Sequence, residues 1–201
     1  MLRPRWLPQK NFPPYAYLPG RGPHPVRDPG GHSYQVEPIP VVAEASLGSE
    51  AFLLGLDLFN HGYYWEAHEA WEELWRVADR DSPLRMLMKG LILLSAAGVK
   101  IRERKHVAAA THARRAAALF HRLMKVPDRA FARALGMSPA TLAEYAEAAI
   151  RLPADLQETA PGQPQPMFNF ILGSNSRGRR SGSQKRSSPR PARPRVGKGS
   201  A

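Results

Sequence analysis

The chain has 201 residues and no cysteine, with 29 Lys and Arg against 17 Asp and Glu, a formal charge of +12. The lack of cysteine excludes a disulfide framework, a thiolate zinc site, an iron–sulfur cluster and a cysteine nucleophile, so any metal falls to His, Asp, Glu or backbone oxygen. The most apolar run, Gly90 to Val99, is too short for a bilayer, which takes about 20 residues, and no apolar stretch follows Arg3 and Arg5, so neither a secretory signal nor a membrane association is expected and a cytoplasmic location is.

Residues 1–43 come first, holding half of the 20 prolines. Proline fixes φ and removes a donor, which excludes helix and central strand. The same stretch carries Trp6, Phe12, Tyr15, Tyr17 and Tyr34, too aromatic for a simple linker. An extended arm lying on the folded part is expected. Within it, Pro23 to Tyr34 concentrates His24, Arg27, Asp28 and His32 on turn-rich backbone, where function often sits when rigid neighbours hold it.

Residues 44–157 read as one helical domain, with a helical signal from Ser46 to Leu152 and no alternating apolar run. A first helix fits Ser49 to Asn60, with Phe52, Leu56 and Phe59 on one face, and His61-Gly62 ends it. A second runs from Tyr63 to Ala78. Ser82-Pro83 starts a third, an N-cap followed by proline at the first helical position, which continues to Arg104. A fourth covers His106 to Met124, packing through Ala109, Ala113, Ala116, Phe120 and Leu123. Asp128 would cap a short helix ending at Gly136, and Ser138-Pro139 starts a last one, with Leu142, Tyr145, Ala149 and Leu152 inward and Pro153 as its stop. Short connections predict antiparallel neighbours. The fold class is all-α, a single compact bundle of five or six helices, without the period of a helical solenoid.

Residues 158–172 read as a linker. From residue 173 to 201 the chain is Ser, Gly, Pro and basic residues, with Arg177, Arg179, Arg180, Lys185, Arg186, Arg190, Arg193, Arg195 and Lys198 and no acid. Such a composition cannot bury enough surface to offset chain entropy, and a disordered tail is expected. It would either grip nucleic acid or another polyanion loosely or serve as a solubilising appendage. No interleaved aromatics offer bases a stacking platform. The remaining surplus charge lies in the arm, so the helical part is balanced and the basic composition says little about its chemistry.

The second helix carries the one constellation suited to chemistry. At about 100° per residue, Tyr64, Ala67, Trp71, Leu74 and Trp75 form a broad apolar face, His68 and Glu72 lie on its edge with Glu69 beyond, and Glu66 and Glu73 fall near the opposite pole. His68 and Glu72 are an i,i+4 pair with β-carbons about 5–6 Å apart, close enough to share a ligand. A nitrogen and a hard oxygen suit a divalent zinc, manganese or iron ion. Further donors would come from His24, His32 or Asp28 on the arm, or from His112 and His121 on the fourth helix. The bland reading makes His68 a hydrogen-bonded core-edge residue with Glu72 as partner, and Glu66, Glu69 and Glu73 a solvated face or partners of Arg85, Arg102 or Arg114.

The run Phe59-Asn60-His61-Gly62-Tyr63-Tyr64-Trp65-Glu66-Ala67-His68-Glu69-Ala70-Trp71-Glu72-Glu73-Leu74-Trp75-Arg76 resembles the signature of the domain of unknown function 309 family, and Lys89-Gly90-Leu91-Ile92 with the Ala-rich fourth helix is similar to its second conserved region. The resemblance covers Ser49 to Leu123. It implies a small all-helical bundle and a metal-dependent hydrolase, with Glu66, His68, Glu69 and Glu72 at the motif positions. Trp71 stands where Leu is commoner in that family. On this basis His68 and Glu72 would ligate, His32 or His24 would complete the shell, and Glu69, with Glu66 beside it, would act as general base on a small polar or phosphorylated substrate. The competing readings are a non-catalytic helical binding or scaffold module and a nucleic-acid accessory role resting on the tail.

Overall fold

The computed structural model describes residues 3–36, 45–126, 129–151 and 160–173. Its elements are α1 (Glu50–Asn60), α2 (Tyr64–Val77), α3 (Pro83–Arg102), α4 (His106–Leu123), α5 (Arg129–Leu135) and α6 (Pro139–Ala149), and no strand occurs among the described residues. The all-helical expectation holds. No helix among these residues is long and apolar enough to cross a membrane. Asp128, Leu152, Pro153 and the basic tail beyond Gly173 lie outside the described residues.

Local chemistry sets the helix starts. Ser49 Oγ accepts the Phe52 N–H at 3.2 Å, and Ser82 and Ser138 accept the N–H of Arg85 and Thr141, each at 3.1 Å. Pro83 and Pro139 occupy the first turn, where their missing N–H would have had no helical acceptor. α3 stops two residues before its expected end. Arg104 takes a left-handed φ of +59°, and the Lys105 N–H closes on the Lys100 carbonyl at 2.9 Å.

Each of the first three helices packs on the next, and α6 returns to α4. The spacing-derived faces of α1 and α4 are buried, Phe52, Leu56 and Phe59 on the first and Ala109, Ala113, Ala116, Phe120 and Leu123 on the second, and α3 buries Leu87, Met88 and Leu91. Trp71 sits at the centre. Its indole N–H donates to the Phe52 carbonyl at 3.3 Å, and its ring lies where a Cβ on Gly55 would come within 2.2 Å of Nε1. A larger ring at that position therefore depends on a glycine in α1.

Two non-helical segments complete the structure. Asp57, fully buried on α1, accepts the Trp6 N–H at 2.7 Å and the Leu7 N–H at 2.9 Å and pairs with Arg5 at 3.0 Å. The arm is thus tied down by its backbone, and Leu7, Ala16, Tyr17 and Leu18 are buried. The segment read as a linker also packs. Phe168 stacks on Phe59 at 5.2 Å and Phe170 on Tyr145 at 4.5 Å, while the Asn60 amide exchanges two hydrogen bonds with the Leu172 backbone at 2.9 and 3.0 Å. Tyr64 Oη accepts the Met167 N–H at 2.6 Å, and burial pushes that phenol up to about 12.

Candidate metal centre

α2 begins after Gly62, whose φ of +89° turns the chain and whose missing Cβ leaves room for the Gln165 backbone. From there the helical repeat presents two polar groups on adjacent sides. The first is His68, Glu69 and Glu72. One ligand atom of each lies within 4.8 Å of the others, and all three residues are partly buried. His68 Nε2 stands 3.7 Å from Glu72 Oε2, and Arg76 approaches the other Glu72 oxygen at 3.3 Å.

Burial dominates the electrostatics here. It lowers the His68 imidazole below its ordinary value, against the pull of Glu72, and so favours the neutral ring that can donate a lone pair. It raises the Glu69 carboxyl, and repulsion from Glu72 adds to the effect. Two carboxylates crowding a neutral imidazole are the donor set that a divalent cation relieves.

The second group is Glu66 under the arm. Relative to the other helices Glu66 faces away, as its wheel position predicts, yet its side chain is only 5% exposed because the arm covers it. Oε1 accepts the Tyr17 N–H at 2.8 Å and lies 3.4 Å from His32 Nε2, while Oε2 is buried without a hydrogen-bond partner. The expected pairing with Arg102 is not a direct one: Arg102 donates instead to the carbonyls of Gly62 and Gln163. Arg85 likewise donates to the carbonyls of Trp75 and Ala78.

Between the arm, α1 and α2 lies a pocket of about 360 Å³. Glu66, Glu69 and Glu73 of α2 line it with Glu50 of α1, His32 and Lys10 of the arm, and an apolar wall that includes Leu54, Leu58 and Trp65. Glu69 belongs both to this pocket and to the three-donor cluster.

The arm histidines do not join the cluster. His32 sits on Glu66, and His24 packs edge-on against Trp65 at 5.5 Å, with its Nδ1 facing the backbone N–H groups of Val26 and Arg27. Of the donors considered on α4, His121 pairs with Glu147 at 2.8 Å, and His112 keeps a buried Nδ1 without a partner. Spacing along α2 could not place Lys10, Glu50 and the anchor Asp57. The signal for Asp57 was present: beyond Glu50 at its start, Asp57 and Asn60 are the two polar side chains of α1, and both are buried.

Residues 52–112 match the family model described as Domain of unknown function (DUF309). The DUF309 match starts at Phe52 in α1 and ends at His112 in α4, so it contains all of α2 and α3 and every member of the three-donor cluster. The arm and residues 160–173, which cover Glu66 and Asn60, lie outside it. No curated protein and no solved structure matches the chain.

Proposed function

We propose that the protein is a metal-dependent hydrolase whose divalent cation, zinc, manganese or iron, is held by His68, Glu69 and Glu72. The observation that carries this reading is the double membership of Glu69, which places a pocket of small-molecule size directly beside a compact nitrogen–oxygen donor set. The residues fit the group. Three protein donors leave positions open, the pattern of catalytic rather than structural sites, and a buried neutral imidazole with two crowded carboxylates gains from the added charge. When bound, the ion supplies Lewis acidity at the bond to be cleaved.

The chain's own residues do the rest. Tyr17 and His32 hold Glu66 in one orientation through Oε1 on the wall of the pocket. Pro13, His32 and Ser33 of the arm wall the pocket off from water on one side. Four carboxylate side chains on its lining favour a small polar substrate over a phosphorylated one, because an anion would meet like charge.

The test is metal content of the purified full-length protein, followed by a screen of ester and amide hydrolysis. The wild type should carry one ion per chain and His68→Ala should lose both ion and activity. A protein that never holds stoichiometric metal, with His68→Ala folded and unchanged in the screen, overturns the reading.

A further inference from the structure

The end of α2, the loop after it, α3 and α4 share a second cavity, of about 240 Å³. Four cationic side chains from three of these elements line it: Arg80 of the loop, Arg85 and Lys89 of α3, and Arg122 of α4. Asp81 is the one acidic lining residue, and it is exposed. Among the described residues, no carboxylate forms an ion pair with any of the four cations. The cavity shares no lining residue with the pocket under the arm and none with the three-donor cluster.

These cations are held together rather than scattered. Arg85 and Lys89 stand four residues apart, which puts two like charges on one face of α3, an arrangement that opposes the helix. Both lie over the Trp75 ring, 4.2 and 4.7 Å from its centre, and its π face offsets part of their repulsion. Arg85 is also fixed in orientation, because Nη1 donates to the Trp75 and Ala78 carbonyls at 2.6 and 2.7 Å. That leaves Nε and Nη2, the edge of a guanidinium that meets two oxygens of one oxyanion. Lys89 is half-buried, and its charge helps to lower the imidazoles of His68 and His112. A half-buried ammonium short of a counter-charge is costly, and an anion in the cavity supplies one. Met86 and Leu119 add apolar surface to the wall.

We infer that this cavity binds a small phosphomonoester, its phosphate held among the Arg85 fork, Lys89 and Arg122, with a compact apolar body against Met86 and Leu119. The charge selects an anion, the free guanidinium edge selects a group with two adjacent oxygens, and three further cations favour a dianion over a carboxylate. This is a ligand site separate from the proposed catalytic pocket. Binding there requires no metal.

The probe is phenyl phosphate, titrated by calorimetry into full-length protein freed of metal with a chelator, in phosphate-free buffer at fixed ionic strength. Benzoate controls for a planar monoanion, and dimethyl phosphate for the diester of a nucleic-acid backbone. Saturable binding of phenyl phosphate is expected, with both controls much weaker. Lys89→Met keeps an apolar stem over Trp75 and should weaken binding about tenfold, as loss of a charge-assisted hydrogen bond does. Arg122→Ala, at an exposed position of α4, should weaken it several-fold while folding normally. Asp81→Asn removes the opposing charge and should tighten binding, an effect that a purely structural role would not produce. No saturable binding in the millimolar range, equal or tighter binding of benzoate or dimethyl phosphate, unchanged affinity in both Lys89→Met and Arg122→Ala, or weaker binding by Asp81→Asn each overturns the inference.

Discussion

The backbone N–H of Tyr17 donates to Glu66 Oε1 at 2.8 Å, joining an arm without regular structure to the second residue past the start of α2. This bond spans 49 positions of sequence and decides which side of α2 is covered. With Asp57, which holds Trp6 and Leu7 in the same way, it converts a proline-rich leader into one wall of the pocket.

Asp57 is the stronger of the two anchors. Asp57→Ala leaves two backbone N–H groups without their acceptor and Arg5 without its carboxylate, though Arg5 keeps the Leu7 and Lys10 carbonyls, and removal of one partner of a buried charged pair is strongly destabilising. We expect a loss of about 3 kcal/mol, measured as a lower urea midpoint, with early proteolytic cleavage within residues 3–36. Arg5→Ala, which leaves the carboxylate with both backbone donors, should be milder.

How far the sequence reaches is clear from α1 and α2. Helical spacing places Phe52, Leu56, Phe59, Tyr64 and Trp71 in the core, and Ser-Pro pairs mark the starts of α3 and α6, because these features act through neighbours a few residues apart. The same reasoning sets Glu66 opposite the apolar face, which is where it lies with respect to the other helices. Its burial comes from a second layer, and nothing periodic in residues 3–36 reveals where that layer docks. Residues 160–173 escaped for a similar reason. Met167, Phe168, Phe170 and Leu172 are buried through aromatic stacking and Asn60, contacts with no spacing signature. The His68, Glu69 and Glu72 cluster was legible because one helical turn contains it.

Gly55 and Trp71 should behave as a unit. Alanine normally favours a helix over glycine by about 1 kcal/mol, yet Gly55→Ala puts a Cβ 2.2 Å from the indole nitrogen. We expect a net destabilisation of about 1–3 kcal/mol from overpacking. Trp71→Leu in the same chain should recover most of it, and a double-mutant cycle on urea midpoints would then show coupling well above the additive limit of about 0.5 kcal/mol.

Glu103 gives the pH dependence a defined sign. Burial pushes its carboxyl up, but hydrogen bonds from Lys100 and Lys105 outweigh that and hold it below the ordinary carboxylate value of 4.5. A depressed folded-state value means that the unfolded chain binds the proton more readily, so the stabilisation is complete above 4.5 and disappears as pH falls through the folded value. Glu103→Gln should cost about 1 kcal/mol at neutral pH and almost nothing in acid. Denaturation midpoints of both proteins across the acid range would show the two curves converging as pH drops.

The central claim is that α2 presents a cation site through His68, Glu69 and Glu72. Crystals of the full chain grown with manganese or zinc, with diffraction recorded on both sides of that metal's absorption edge, test it most directly. The expected result is an anomalous peak among the imidazole of His68 and the carboxylates of Glu69 and Glu72. A peak confined to other residues, or none at all from metal-loaded crystals, would contradict it.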